Sequence, residues 1–259
     1  MVSLSRLLGH ARGQSSRLFC RIDRNGCIHC GSRSFEQRQV ISSELAASWE
    51  LTWKERSLFD EREGHICQGC QMSKRVRMLL WSLKKVYASL RQLRVLHLNQ
   101  TNHLSPALAG AASLVETTYL PQRPMGEEIN GLINLDLCQL TFPDNFFDLV
   151  IHSETLEHIY DYEQALREAE RVLKPGGYHF YTVPVLHRRV TRQRIGRGPS
   201  AEIVNKLPPS FHGESGEYPV VWEFGGDFIR GRSRPMCRIY YDNYWLNRTV
   251  FTVVEPKLT

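Results

Sequence analysis

Four of the seven cysteines stand in two C-x-x-C pairs, Cys27-Ile28-His29-Cys30 and Cys67-Gln68-Gly69-Cys70, separated by 36 residues. Two intervening residues let both thiolates of a pair reach one tetrahedral ion, and two such knuckles complete a four-cysteine zinc site. Gly31 behind the first pair and Gly69 inside the second supply the tight turns a knuckle needs. Four thiolates leave no coordination position open, so the implied Zn2+ is structural. The gap exceeds that of a minimal ribbon and calls for an inserted hairpin or loop. Two disulfides are the alternative, in an oxidising compartment for which the sequence carries no signal. A redox C-x-x-C explains one pair but not two. Cys20, His29 and His65 are spare ligands, while Cys138 and Cys237 read as small apolar fillers.

General-base chemistry has three histidine candidates. His212 sits in the rigid-then-flexible unit Pro208-Pro209-Ser210-Phe211-His212-Gly213, and His158 and His152 are its rivals, each with a packing role as the alternative. Residues 187–198 (HRRVTRQRIGRG) hold five arginines and no acid. They form either a basic lid over an anionic ligand or a surface loop.

These groups need elements to position them. Residues 147–151 (FDLVI) follow the turn residues Pro143, Asp144 and Asn145, as in a strand buried on both faces of a parallel sheet. Asp161, three residues before Gln164, has capping-box spacing. Ala165, Leu166, Ala169, Val172 and Leu173 then recur at helical spacing until Lys174-Pro175-Gly176-Gly177 stops the helix. A second strand follows at 178–183. Upstream, 74–90 predicts an amphipathic helix with a basic face of Lys74, Arg75, Arg77, Lys84 and Lys85, solvated or touching nucleic acid. Strands are expected at 93–98 and near 114–120, and one or two closing strands at 240–254.

Residues 134–185 also carry a resemblance. The string D-L-x-x-L-x-F-P-D-x-x-F-D-L-V-I, then L-E-H-I and A-L-x-E-x-x-R-V-L-K-P-G-G, resembles the second half of a class I S-adenosylmethionine-dependent methyltransferase domain of the type 11-like group. The resemblance implies that Asp136, with Leu137 beside it, faces the adenine of S-adenosyl-L-methionine, and that residues 152–158, Ser153 and Glu154 among them, face the methyl donor and acceptor. Asn99 and Gln100, in the turn after the first strand, would lie beside the methionine moiety. That turn, 99–103, lacks the glycines usual in the family, and Glu116 comes early for the acid that binds the ribose hydroxyls. A bacterial subgroup with paired N-terminal C-x-x-C knuckles, a V-L-H first strand and a glycine-poor turn looks similar over most of the chain, including Val221-Trp222-Glu223-Phe224-Gly225.

With 259 residues and net charge +6, the chain has room for one α/β domain and an appendage. The charge is uneven: residues 1–90 hold 15 basic and 8 acidic side chains, 91–185 hold 6 and 12, and 186–259 hold 12 and 7. The acidic middle argues against nucleic acid there, so any such partner would use the basic flanks. No apolar run is long enough to cross a bilayer, and the expected location is cytoplasmic. Residues 1–22 suit either an organellar transit peptide or a plain basic segment. The expected fold is α/β, a Rossmann-like methyltransferase sheet at 91–259. Ahead of it stand a basic segment (1–19), a four-cysteine zinc module (20–72) and a linking helix (73–90). The implied function is methyl transfer to a small-molecule or sugar-type acceptor. An RNA methyltransferase and a non-catalytic binding protein with a degenerate cofactor site are the alternatives.

Overall fold

The computed structural model describes residues 16–20, 25–100, 103–200, 202–212, 218–231, 238–244 and 247–258, with the backbone alone for 16–20, 212, 238–244 and 247–251. The chain opens with β1 (Ser16–Cys20), then β2 (Phe35–Gln37), helices α1 (Ser43–Ser48) and α2 (Trp53–Gly64), and β3 (His65–Cys67), which pairs antiparallel with β2. Helix α3 (Lys74–Val86) leads into β4 (Arg94–His97), the one-turn α4 (Ser105–Leu108), β5 (Ser113–Thr118), β6 (Glu128–Ile129) and β7 (Leu132–Asn134). The expected strand–helix–strand unit is β8 (Phe147–Ser153), α5 (Tyr162–Val172) and β9 (Leu173–Thr182). Short strands follow: β10 (Val185–Leu186), β11 (Arg192–Gln193), β12 (Ile195–Arg197), β13 (Ile203–Asn205), β14 (Phe211–His212), β15 (Tyr218–Pro219) and β16 (Trp222–Gly225). The chain ends with α6 (Gly226–Gly231), β17 (Arg238–Tyr244) and β18 (Asn247–Pro256).

The main sheet has the order β1-β17-β18-β9-β8-β4-β5-β7-β6. Its middle, β7-β5-β4-β8-β9, is parallel, and β18 closes it antiparallel to β9. The chain enters at β4, runs outward through β5 to β7, and returns to β8 on the other side of β4. That reversal opens a crevice beyond the carboxyl ends of β4 and β8, where open α/β sheets bind ligands.

Both faces of the sheet are covered. Leu96, Val150, Tyr181 and Val253 pack with Ala165, Leu166, Ala169 and Val172 of α5, while Val95, Ile151, Phe180 and Val254 pack with Val76, Leu79, Leu80 and Leu83 of α3. Asp161 caps α5, its Oδ1 accepting from the Gln164 N–H at 2.9 Å, but the Gln164 side chain donates to the Cys138 carbonyl, so the capping box is half made. The helix ends at Val172, before the prolyl segment, because Leu173 is already extended and pairs with Phe147. Lys174 to Gly177 then form an irregularity inside β9, with Gly176 at φ +79°.

Two expectations are narrowed by the structure. The basic side chains of α3 do not all make a solvated or nucleic-acid-binding face: Lys84 and Lys85 are exposed, but the other three are paired inside the protein. Lys74 pairs with Glu61 at 2.5 Å, Arg75 grips Glu63 with Nε 2.9 Å from both carboxylate oxygens, and fully buried Arg77 bonds the His65 and Met72 carbonyls. Nor do the arginines of 187–198 form a free lid. Arg189 binds Glu55 and the Trp49 and Glu50 carbonyls, Arg192 and Arg194 both pair with Glu223, and Arg194 also reaches Ser48 and the Pro208 carbonyl. Within the N-terminal segment, residues 16–20 add an edge strand beside β17.

Arg194 and Glu223 are buried together, and a buried charge stripped of its partner has no compensation. Glu223→Gln is expected to lower stability by about 3 kcal/mol, read as a fall in the denaturant midpoint at unchanged slope.

His152, on β8, is fully buried against His179 and Tyr181, which assigns it to packing. Burial, and then the neighbouring His179 and His97, hold its pKa well below the ordinary value; burial likewise lowers those of His97 and His158. Below about pH 6.5 the unfolded chain binds protons that the folded chain refuses, so these groups make stability fall on acidification. On acidification from about pH 7.5 to about pH 5.5, the melting temperature of His152→Phe is expected to change in the stabilising direction relative to that of the unsubstituted protein. Glu157, whose raised pKa acts in the opposite sense, is common to both proteins and cancels in the comparison.

Candidate active site and four-thiol cluster

The turn after β4 explains how a glycine-free sequence passes the crevice. Asn99 takes φ +53°, the left-handed conformation for which glycine is the usual residue and asparagine the best-tolerated substitute. Its N–H donates to Thr117 Oγ1 at 3.1 Å, and the Gln100 N–H to the Thr117 carbonyl at 2.8 Å. The Gln100 side chain stays on its own turn, donating to Ser105 Oγ at 3.0 Å. Glu116 is turned to another use, with Oε1 2.8 Å from Nδ1 of buried His97 on the paired strand.

Beyond β5, buried Asn134 holds the next turn by accepting from the Leu120 N–H and donating to the Leu120, Arg123 and Pro124 carbonyls. Half-exposed Tyr119 stands there, its pKa raised first by partial burial and then by Asp136 and Cys138, while Arg197 acts the other way. Asp136 accepts the Cys138 N–H on Oδ1 at 2.8 Å, and Leu137 beside it is buried. Arg197, from β12, stacks over the Tyr160 ring at 4.5 Å. Arg197 belongs to the arginine-rich stretch offered in sequence as a lid, but nothing in sequence paired it with Tyr160.

At the end of β8, buried Ser153 bonds Thr182 Oγ1 at 2.8 Å and accepts from Arg75. Glu154 follows at φ +52°, its N–H on the Thr182 carbonyl at 3.1 Å. Its Oε2 is 2.8 Å from Arg62 Nη2, and Arg62 in turn donates to the Val183 carbonyl at 3.2 Å and lies 2.7 Å from Glu63. Burial opposes ionisation of Glu63, but Arg75 and Arg62 outweigh it and hold its pKa below the ordinary value. Glu157, fully buried, is pushed the other way by burial and by Glu154, well above the usual carboxylate range.

His158 occupies a one-turn helix, Leu156–His158, after β8. Its Nδ1 lies 2.8 Å from the Pro219 carbonyl, which can only accept, so Nδ1 carries the proton and Nε2 the lone pair. Burial lowers its pKa, partly countered by that carbonyl, which favours the neutral ring at pH 7. The backbone of His212 pairs with Tyr218, next to Pro219, so both histidine candidates belong to segments that meet at one hairpin. The His212 side chain lies outside the described residues.

A half-open pocket of about 100 Å³ lies between α1, α2 and the carboxyl ends of β8 and β9. Ile41, Leu45, Leu51 and Pro184 line it with the edge-to-face pair Trp49 and Phe59. Its polar wall is Arg62 and Glu154. The segment between the two cysteine pairs, expected as a hairpin or loop, is thus a hairpin carrying two helices that roof this pocket. Trp49, Phe59 and Arg62 had no signal in sequence beyond helical spacing.

The four paired cysteines converge. Their Sγ atoms all lie within 4.8 Å of one another, with Cys27 and Cys70 3.6 Å apart and Cys30 and Cys67 3.6 Å apart. These separations are too long for a disulfide of about 2.05 Å. They approach the roughly 3.8 Å edge of a tetrahedron with metal–sulfur bonds of about 2.3 Å. Each knuckle closes alike, the Gly31 N–H on the Cys27 carbonyl and the Gln71 N–H on the Cys67 carbonyl, both at 2.8 Å. The left-handed residues are Gly31 (φ +75°) and Gln71 (φ +60°), so Gly69 does not supply the second turn. Gly69 permits close approach instead, since a Cβ there would stand 2.9 Å from Cys30 Sγ. His65 is not a ligand: it stacks on Phe35 and bonds Arg77.

Residues 112–181 match a family model described as a methyltransferase domain, a span that runs from the start of β5 through most of β9. A demethylmenaquinone methyltransferase of Listeria welshimeri is 52% identical over 46 residues, 18% of this chain and 20% of that protein. A ubiquinone/menaquinone biosynthesis C-methyltransferase UbiE of Hahella chejuensis is 55% identical over 38 residues, 15% of each. The chain thus spans about a fifth or less of the length of these curated relatives. An S-adenosylmethionine-dependent methyltransferase structure from Mesorhizobium loti aligns over 68% of this chain and 96% of that one, at 17% identity and TM-score 0.43. The chain therefore carries a methyltransferase-domain match over 112–181, which takes in β8 on one side of the carboxyl-edge crevice but not β4 on the other.

Proposed function

We propose that the chain is an S-adenosyl-L-methionine-dependent methyltransferase acting on a small-molecule acceptor. The observation that carries this reading is the switch-point crevice between β4 and β8, bordered by strands of the methyltransferase-domain match. The chemistry of its donors fits the cofactor. The left-handed Asn99 turn brings backbone close to the place of the methionine moiety. Asp136, one oxygen engaged by Cys138, has its second to accept from the adenine amine, with Leu137 against the ring. Ser153 and Glu154 border the methyl-transfer end. When bound, the cofactor would supply an electrophilic sulfonium methyl group for transfer to the acceptor. The protein's part is to align the two and exclude water. His158, neutral with Nε2 as its basic nitrogen, takes the proton the acceptor loses. His212, on the neighbouring hairpin, is the alternative acceptor of that proton.

Calorimetric titration is expected to show heat and thermal stabilisation with S-adenosylmethionine, with Asp136→Ala weakening binding about tenfold, as loss of one charge-assisted hydrogen bond implies. No heat and no stabilisation at millimolar cofactor leaves a non-catalytic binding protein instead.

Cys27, Cys30, Cys67 and Cys70 would hold a structural Zn2+, with all four positions filled by sulfur. Metal analysis of freshly reduced protein is expected to return about one zinc per chain, and Cys67→Ser to lose it and melt at lower temperature. A metal-free protein of unchanged melting temperature discards the zinc assignment.

A further inference from the structure

The pocket under α1 and α2 has features that define its occupant, on the reading that this chain methylates a small molecule. Its size, about 100 Å³, is comparable to the roughly 150 Å³ cavity that admits one benzene ring. Its walls are aliphatic except for the Trp49–Phe59 pair, a surface suited to a flat ring. Its one cation, Arg62, lies between Glu63 and Glu154, and the Arg62 guanidinium also sits over the Phe59 ring at 5.0 Å. An anionic ligand would meet an arginine already shared by two carboxylates, with no positive charge left over, and would lose its hydration for nothing. The remaining polar feature is Glu154 Oε1, which is buried and has no hydrogen-bond donor among the described residues. A buried carboxylate oxygen without a donor costs free energy that an incoming O–H or N–H removes.

We propose that this pocket takes a single-ring portion of the methyl acceptor that carries no negative charge and bears one O–H or N–H, which donates to Glu154 Oε1. The insert between the cysteine knuckles is then the acceptor-recognition element, and Glu154 joins it to the methyl-transfer end of the crevice. Sugar-type and anionic acceptors fit this pocket poorly, since its walls are apolar and its arginine is already paired.

Phenol, toluene and benzoate serve as probes of the full chain by saturation-transfer NMR. Phenol is expected to bind about tenfold more tightly than toluene, a one-hydrogen-bond difference, and benzoate not at all. Leu45→Trp, which fills the pocket, is expected to weaken phenol about tenfold or more, and Leu51→Trp serves equally where the first fails to fold. Phenol bound no better than toluene overturns the donor requirement. Benzoate bound as well as phenol overturns the exclusion of anions, and unchanged phenol affinity in a folded tryptophan variant overturns the location. S-adenosylmethionine calorimetry on the same samples separates the two readings. Cofactor heat without phenol binding overturns the acceptor pocket alone, and phenol binding without cofactor heat supports the pocket while overturning the enzyme.

Discussion

Arg62 and Glu154 form the contact through which the N-terminal insert and the sheet become one site. Arg62 sits on α2, inside the segment that the two cysteine pairs bracket, and Glu154 is the first residue after β8. Both side chains are largely buried, and neither charge could stay there without the other, because solvation lost on burial is recovered only through close pairing. Glu63 and Arg75 extend the pair to Ser153, so α2 and α3 are both tied to the end of one strand. The apolar pocket exists because this ion pair sets α1 and α2 over the carboxyl edge.

The edge itself follows from topology. A parallel sheet whose chain reverses direction beside its first strand leaves room at the carboxyl ends, and the turn after that strand must bend sharply to clear it. Most sequences meet the bend with glycine. Here Asn99 meets it, with its backbone N–H satisfied by Thr117, so the missing glycines do not by themselves mark a ruined crevice. The end of β5 differs more deeply from the expected pattern: Glu116 is turned toward His97, and Tyr119 follows the strand.

A formal charge of +6 suggested basic surfaces, yet many of the arginines are structural. Arg194 reaches Ser48 and Glu223, and Arg189 reaches Glu55 and two carbonyls of the 49–50 turn. These guanidiniums stitch the loop after β10 to the insert, using several donors each in a geometry lysine could not copy. The insert is therefore clamped on both sides of its pocket, by Arg62 from within and by Arg189 and Arg194 from without.

Strands β4, β5, β8 and β9, the closing strands, α5 and its cap, and the cysteine knuckles were legible in the residues, because buried-strand runs, helical periodicity and ligand spacing are local patterns that neighbours in sequence impose on one another. Asp136, Ser153 and Glu154 drew their expected roles from the resemblance of residues 134–185 to a methyltransferase, not from any local pattern. The pocket was not legible. Trp49, Phe59 and Arg62 lie some ninety or more residues from Glu154, and no local pattern records which distant carboxylate an arginine will meet. Nor does composition distinguish a solvated arginine from one sealed against Glu223. Local order came from the sequence alone; the pairing of distant charges, and with it the shape of the site, was decided only when burial made each charge choose a partner.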